Sequence, residues 1–180
     1  MDDLLLDACV ALNLLASGVA LDELAGASSV RFVMTSVAAS ETLWLEPDDS
    51  SGSRELLDDK VLVERGITLV TLTEIETVNF IELARSIDDG EAATIAVAIH
   101  RQLRVATDDR KAVRLAESQT PPVGVVRTSH LMRRWADSSN ATQIRVREAI
   151  RAIQRRANCV PPRDDPHIAW WRSMTDDPSQ

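Results

Sequence analysis

The chain has 180 residues, 44% of them hydrophobic, which is enough for one domain with a substantial core and too few for two full domains. Its charges are segregated. Residues 1–126 carry 22 acidic and 10 basic residues, a net charge of −12, whereas residues 127–180 carry 6 and 10, a net charge of +4. This asymmetry excludes a uniformly acidic protein and predicts an acidic body with a basic C-terminal part.

The sequence also indicates a compartment. No apolar run approaches the roughly 18 residues needed to span a bilayer, and the start Met1-Asp2-Asp3 lacks the basic and apolar regions of a signal peptide. Cys9 and Cys159 form neither a CxxC pair nor a disulfide framework. We therefore expect a cytoplasmic protein with two reduced thiols and no membrane partner.

Short apolar segments alternate with helical segments along residues 1–127. The predicted strands are Leu4–Leu6, Val30–Thr35, Ile67–Val70, Arg104–Asp109, which ends in two aspartates, and Val123–Arg127. The predicted helices are 8–17, 21–25, 36 to about 45, 53–62 with Ser53 as cap, 72–87, 88–99 and 109–117, with a polar loop at 47–53. This alternation predicts a three-layer α/β/α fold around a five-stranded parallel sheet.

The remaining chain is predicted to be helical and basic. Helices are expected at 129–136 and 140–157, followed by a linker at 161–166 and an apolar patch at 167–171. We expect this patch to dock onto another surface, which the sequence does not identify. We therefore divide the chain into an α/β domain, residues 1–127, and a helical C-terminal extension, residues 128–180.

Four acids stand at equivalent places in this alternation. Asp7 ends the first strand and Asp109 ends the fourth, whereas Glu41 lies in the helix after the second strand and Glu91 in the first turn of the helix before the fourth. Ligands of parallel α/β sheets bind outside the carboxyl ends of the strands. If the first strand is central, the four acids converge there.

Such convergence has an electrostatic cost. Two unit charges about 5 Å apart repel by roughly 3 kcal/mol at an effective dielectric constant near 20, so the acids need protons or a cation. Oxygen ligands without His or Cys favour Mg²⁺ or Mn²⁺. A metal bound in this way can hold a phosphodiester and activate water for attack on it.

Each acid also has a purely structural interpretation. Glu91 and Asp109 are explained about equally well as helix caps that interact with the helix dipole. Glu41 is harder to explain in that way because it shares a predicted helix face with Trp44, and Asp7 lies between a buried strand and an apolar helix. A buried acid without a partner is costly.

The segments around these acids carry a resemblance to a known family. They are Leu4-Leu5-Leu6-Asp7 with Asn13 downstream, Ser36–Glu41, Asp89-Gly90-Glu91-Ala92 and Ala106-Thr107-Asp108-Asp109-Arg110. Over residues 3–127 the chain resembles the PIN-domain nucleases, particularly the toxins of prokaryotic VapBC-type toxin–antitoxin pairs. The resemblance implies strand order 3-2-1-4-5 and a Mg²⁺- or Mn²⁺-dependent endoribonuclease.

The resemblance also implies roles and partners. Asp7, Glu41, Glu91 and Asp109 fall on the metal-binding catalytic acids, and Thr107 on the family's small hydroxyl residue beside them. We assign Asn13 and Asp108, from their positions in this sequence, as further residues that support the acids. The implied partners are an RNA substrate, a cognate antitoxin protein and a second copy of the chain in a homodimer. Ala8 and Cys9 stand where the family commonly has hydroxyl residues, and residues 128–180 have no counterpart in it.

The C-terminal arginines are candidates for contact with nucleic acid. The set is Arg133, Arg134, Arg145, Arg147, Arg151 and Arg155. Only Asp137 and Glu148 lie among them, so pairing within the segment cannot neutralise most of the charge. RNA contact, docking to an acidic partner or to the protein's own acidic body, and simple solvation remain open.

Other functions are compatible with parts of the sequence. A non-catalytic PIN-like module that binds nucleic acid or protein and a housekeeping RNA-processing nuclease are alternatives to the toxin. A haloacid-type hydrolase is disfavoured because Asp7-Ala8-Cys9 lacks its second aspartate. No P-loop, HExxH, GxSxG or zinc-ligand spacing occurs, and His100, His130 and His167 are interpreted as structural or solvated.

Overall fold

The computed structural model of the protein describes residues 1–41, 43–47, 52–138 and 140–176. Its strands are β1 (Asp2–Leu6), β2 (Val30–Thr35), β3 (Leu43–Leu45), β4 (Glu55–Leu57), β5 (Thr68–Val70), β6 (Arg104–Ala106) and β7 (Val125–Val126). Its helices are α1 (Ala8–Ala16), α2 (Leu21–Ser28), α3 (Ser36–Ala39), α4 (Asp59–Glu64), α5 (Glu74–Leu83), α6 (Asp89–Arg101), α7 (Arg110–Glu117), α8 (Thr128–Ser138), α9 (Gln143–Ala157) and α10 (Ile168–Thr175).

A five-stranded parallel sheet with β1 at its centre organises the chain. β2 and β6 pair with β1 on either side, and β5 and β7 form the edges. Leu4, Leu5 and Leu6 are each at most 1% exposed, as expected of a parallel strand that is covered on both faces. The predicted α/β class and the five-stranded parallel sheet are confirmed.

The strand order differs from the predicted 3-2-1-4-5 in its numbering, because the prediction counted five strands and the described part of the chain has seven. It is β5-β2-β1-β6-β7, because two strands that the sequence did not predict, β3 and β4, precede β5. They pair with each other, antiparallel, in a separate two-stranded sheet. The short pair therefore changes the numbering and adds a second sheet to the fold.

The β3–β4 pair replaces parts of two predicted helices. The predicted helix from residue 36 to about 45 is wrong, because α3 ends at Ala39. Its second half is a strand in which Leu45 is fully buried and Trp44 is 44% exposed, the alternation of a half-buried strand. The predicted helix over 53–62 begins later, at Asp59, and its cap is Asp58, whose Oδ1 accepts a hydrogen bond from the Val61 amide at 2.9 Å.

Smaller differences concern other boundaries. The predicted helix over 72–87 is shorter, since α5 begins after the Thr73 capping box and ends at Leu83. The helix predicted over 140–157 begins at Gln143, capped by Thr142. Of the polar loop predicted at 47–53, residues 48–51 lie outside the described residues.

Helices cover both faces of the sheet. Leu5 of β1 belongs to a core formed with α5, α6 and α7, whereas Leu4 and Leu6 belong to a core on the opposite face, formed with α1, α2 and the C-terminal helices. The alternation follows from the two-residue period of a strand. The arrangement is the predicted three-layer α/β/α sandwich.

Residues 128–176 share the second of these cores. α8 packs on α2, α9 packs on α1, and α10 packs on α9. Trp135 and Trp171 are both fully buried, so the predicted docking of the apolar patch at 167–171 is confirmed. The C-terminal helices thus complete the layer on one face of the sheet.

Among the described residues, no single helix is long and apolar enough to cross a membrane; α1 and α2 would be so only if joined, and they are bent by 113° relative to each other.

We expect Trp171→Ala to lower the free energy of unfolding by about 3–5 kcal/mol, because it removes a large side chain from the shared core. Chemical denaturation should show one cooperative transition at lower denaturant concentration. Ile144→Ala, at a position that is 70% exposed, is the control and should change stability by less than about 0.5 kcal/mol. A separate early transition confined to the C-terminal helices would contradict the shared core.

Candidate active site

Asp7 lies at the carboxyl end of the central strand and caps α1. It is only 3% exposed. Its Oδ1 accepts a hydrogen bond from the Ala8 amide at 2.7 Å, and its Oδ2 accepts from the Thr107 hydroxyl at 2.9 Å and from the Cys9 thiol at 3.0 Å. These donors compensate the loss of water around a buried carboxylate. The extended backbone at the end of β1 places the acid directly over the first turn of α1.

Glu41 is held against the start of α6. Its Oε1 accepts a hydrogen bond from the amide of Gly90 at 2.9 Å, in the helix turn whose free N–H groups favour an anion. A Cβ atom at position 90 would collide with the Glu41 carboxylate and would lie 3.2 Å from the Cα of Ala38. Glycine is therefore required for this close approach.

The local basis predicted for Glu41 is wrong. The acid does not share a helix face with Trp44, because it follows the end of α3 and Trp44 lies in β3 with 44% of its surface exposed. What holds Glu41 is the contact with Gly90, 49 residues away in the sequence.

Asp109 and Glu91 complete the predicted set. Asp109 caps α7, and its Oδ1 accepts hydrogen bonds from the amides of Lys111 at 2.6 Å and Ala112 at 2.9 Å. The structural interpretation of Asp109 as a helix cap is thus confirmed, and it leaves the possible ligand role untested. Glu91 lies in the first turn of α6 and is partly buried.

The four acids, which we call the acid cluster (Asp7, Glu41, Glu91 and Asp109), influence one another electrostatically. Burial raises the pKa of Asp7, although the hydrogen bonds from Cys9, Thr107 and Ala8 act in the opposite direction and lower it. Burial, and then the charge of Asp7, raises the pKa of Glu41. Burial, and then the charges of Asp7 and Asp109, raises the pKa of Glu91 to about 7. The structure therefore brings the predicted acids into one negative field.

The acid cluster fits a metal ion in its chemistry but not as a ready-made ligand set. All four side chains offer the oxygen atoms that Mg²⁺ and Mn²⁺ prefer, and their mutual repulsion favours a bound cation. In the described part of the chain, however, no group of three or more His, Cys, Asp or Glu side chains is arranged so that it could hold a metal ion. Ligation would require these side chains to turn toward a common point.

The three predicted supporting residues divide into two groups. Thr107 donates to Asp7, as the resemblance implies. Asn13 instead donates to Asp108 Oδ2 at 2.9 Å, and Asp108 also accepts from the Thr128 amide at 3.0 Å and the Thr128 hydroxyl at 2.6 Å. Asn13 and Asp108 therefore fasten the start of α8 to α1 and to the end of β6. Thr128 was missed, because only the position of α8 reveals its role.

The predicted nucleic-acid contacts are partly engaged within the protein. Arg145 makes a bidentate ion pair with Glu23, with both N···O distances 2.8 Å, and its guanidinium lies over the Trp135 ring. Arg133 pairs with Asp137 at 2.8 Å and lies over the Trp170 ring. For Arg145, these contacts favour docking to the protein's own acidic body over RNA binding.

The other predicted arginines differ in their surroundings. Arg151 donates to the Thr175 carbonyl at 3.5 Å, and Arg147 has a buried Nε without a hydrogen-bond partner within the described residues. Arg134 and Arg155 are exposed on α8 and α9. RNA contact by these residues stays a prediction.

Two of the histidines that seem scattered in the sequence lie side by side. His130 Nδ1 and His167 Nε2 are 3.4 Å apart at the start of α8 and just before α10. The buried Asp165 beside them accepts hydrogen bonds from the Ser129 hydroxyl and from the His167 amide. These contacts do not involve the acid cluster. No role in the chemistry of the acid cluster follows for them.

Comparisons of the chain with models of known protein families, with curated proteins and with solved structures found no match. The resemblance to PIN-domain nucleases therefore stays a prediction from the sequence segments named above.

We expect Glu91→Gln to increase stability at alkaline pH. The pKa of Glu91 is raised from 4.5 to about 7, so the folded protein binds more protons than the unfolded chain between these values, and stability falls as pH rises through them. The Glu91→Gln variant has no carboxyl group at this position, so its stability does not fall for this reason as the pH rises. At pH above about 7 it should gain about 1 kcal/mol, less than the full shift because the carboxyl is partly exposed, or roughly 2–4 °C in melting temperature.

Thermal melts at several pH values check this expectation. The gain should disappear near the ordinary carboxyl pKa of 4.5, and the exposed control Glu64→Gln on α4 should show no such pH-dependent gain. A Glu91→Gln effect that is equal at all pH values would show that charge in the acid cluster is not its cause.

Proposed function

We propose that the protein is a metal-dependent endoribonuclease and the toxin component of a type II toxin–antitoxin system. The observation that supports this proposal is the acid cluster at the carboxyl end of the central strand, where burial and then the charges of neighbouring carboxylates raise the pKa of Glu91 to about 7. A parallel sheet binds ligands at this edge. An RNA phosphodiester is the substrate that the sequence resemblance implies.

Asp7, Glu41, Glu91 and Asp109 would hold the Mg²⁺ or Mn²⁺ ion. When bound, such an ion polarises the phosphodiester and lowers the pKa of its water for attack on phosphorus. Thr107 orients the Asp7 carboxylate, and the Gly90 amide orients Glu41. Because the pKa of Glu91 is about 7 without a bound cation, metal binding would release a proton from this carboxyl near neutral pH.

The partners belong to the same proposal. RNA would contact cationic side chains that are exposed on the C-terminal helices, such as Arg134 and Arg155. A cognate antitoxin would restrain the toxin until it is needed, and a second copy of the chain would form a homodimer. We place the protein in the cytoplasm, where its RNA substrate and its reduced thiols are expected.

One observation favours a second candidate, a non-catalytic module of similar fold. The Asp7 carboxylate is already satisfied by hydrogen bonds from the protein, and no ready-made metal group exists among the described side chains. A housekeeping RNA-processing nuclease would instead share the chemistry and differ only in its biological target. Metal binding and cleavage separate the module from both nucleases.

We expect Asp7→Asn to reduce Mn²⁺-dependent RNA cleavage by more than about 100-fold, since even residues that only support metal ligands cost 10–100-fold when they are changed. EDTA should abolish cleavage by the unaltered protein. The control is Asp22→Asn, which changes an exposed aspartate in the first turn of α2 that lies outside the acid cluster. Undiminished cleavage by Asp7→Asn would contradict the assignment of the acid cluster as the active site, because the activity would then come from another site or a contaminant.

Metal binding gives a second readout that does not depend on activity. At a Mn²⁺ concentration about 100 times its dissociation constant, the folded protein should gain about 2.7 kcal/mol, or roughly 5–10 °C in melting temperature. Asp7→Asn should lose this gain, whereas Asp22→Asn should keep it. An unaltered protein that shows no shift over a wide range of Mn²⁺ concentrations would favour the non-catalytic module.

A further inference from the structure

A cavity lies along the edge strand β7, and none of the four acids of the acid cluster lines it. Its volume is about 300 Å³, at the lower end of the range for pockets that hold small molecules. Part of its lining comes from β7 and α7, and the rest comes from the start of α8 and the segment just before α10. We call it the β7 cavity; its polar lining consists of Arg104, Glu117, Arg127, Ser129, His130 and His167.

Arg127 brings to this cavity a guanidinium group whose hydrogen bonds are incomplete. Its side chain is 20% exposed, and its Nη1 atom is buried without a hydrogen-bond partner among the described residues. The Nε atom lies 4.0 Å from Asp165 Oδ2, which is too far for a hydrogen bond. Asp165 is already engaged by the Ser129 hydroxyl and the His167 amide. Because a buried donor without an acceptor is costly, a ligand oxygen in the cavity would stabilise Arg127.

The electrostatic field at the His130 ring favours an anion. Burial is the largest cause that lowers the pKa of His130, and the charge of His167 is the next. The charges of Arg134 and Arg104 lower it further. The carboxylate of Asp165 acts in the opposite direction and is the smallest of these causes. The cations around the two imidazole rings therefore outweigh the carboxylate beside them.

The chemistry of the lining fits a terminal phosphate group. The guanidinium groups of Arg104 and Arg127 carry donors in the fork geometry that matches phosphate oxygens, and the two imidazole rings add further donors when they are protonated. A phosphate monoester has three terminal oxygens and close to two negative charges at neutral pH. The opposing carboxylate of Glu117 is exposed, so water and salt screen it. Val113 and Val125 supply apolar surface for a small organic group.

We propose that the β7 cavity binds a small phosphate monoester, with its phosphate between the two guanidinium groups and the two imidazole rings of the lining. The cavity volume admits a compact molecule and not a continuous polymer chain. This site requires no metal and does not rest on the ribonuclease proposal. Because its lining includes residues of the C-terminal extension, the site forms only when that extension packs on the α/β domain.

The experiment titrates the full-length protein with inorganic phosphate and with phenyl phosphate. EDTA is present, so that no metal at the acid cluster can hold either probe. The NMR signals of the His130 and His167 ring protons should shift and saturate, whereas those of His100, which lies on α6 and does not line the cavity, should not move. Phenyl phosphate should bind more tightly than inorganic phosphate, because its ring adds contact with the apolar lining.

Arg127→Gln should weaken the binding of phenyl phosphate by about 10- to 100-fold, as expected when hydrogen bonds to a charged group are removed. Arg104 is exposed, so Arg104→Gln should weaken binding by only about 2- to 5-fold. This second variant keeps the inference testable if Arg127→Gln does not fold. The matched control is Arg114→Gln, which removes the same charge from an exposed position on α7 that does not line the cavity. It should leave binding unchanged.

Four results would overturn the inference. The first is the absence of any shift of the two histidine signals up to about 10 mM of either probe, since a site weaker than that is not specific. The second is binding that neither Arg127→Gln nor Arg104→Gln weakens. The third is benzoate binding as tightly as phenyl phosphate, which would show that the cavity selects no phosphate. The fourth is displacement of phenyl phosphate by an RNA without terminal phosphates, which would assign the cavity to phosphodiesters.

The ribonuclease proposal is tested separately, by Mn²⁺-dependent cleavage. A protein that binds phenyl phosphate in EDTA but does not cleave RNA keeps the β7 site and loses the proposed activity. A protein that cleaves RNA but shows no histidine shift keeps the activity and loses the β7 site.

Discussion

The burial of the Asp7 carboxylate is the constraint on which the rest of the structure depends. An acid that is 3% exposed is tolerated only because donors surround it, and one of them, the Thr107 hydroxyl, comes from the residue that follows the neighbouring strand β6. The same hydrogen bonds therefore join the sheet, the start of α1 and the candidate chemistry. After burial, the charge of Asp7 is the next largest cause that raises the pKa of Glu41 and of Glu91, so the central strand contributes to the electrostatic field around both acids.

The opposite charges of the two parts of the chain are brought together by packing. The C-terminal helices complete the core over α1 and α2, and this places Arg145 against Glu23, 122 residues away, in a bidentate pair. Cations that the sequence suggested for RNA are thus partly used to neutralise the acidic body. Those that remain exposed at the surface are separated from the acid cluster in the sequence, and only the fold determines which of them a bound RNA could reach.

Much of the sheet was predictable, because its strands are short apolar runs and both aspartates of the cluster stand where such runs end. The β3–β4 pair was not, because each three-residue apolar segment suits a helix or a strand equally. What decides is the antiparallel pairing of Leu43–Leu45 with Glu55–Leu57, a segment later in the chain. The position of the Glu41 side chain was not predicted for a similar reason. Its partner is a backbone amide 49 residues away, and no local period encodes such a contact.

The hydrogen atom that serves as the side chain of Gly90 has a consequence for how this chain can change. Because there is no Cβ atom at this position, the Glu41 carboxylate can lie against the helix. A chain that acquired a methyl group there would keep every acid in its sequence and would gain helix propensity, yet the fourth carboxylate would be displaced. Counting acids would then overestimate what such a descendant can do, and position 90 is a better guide than any of the four acids to whether the assembly is intact.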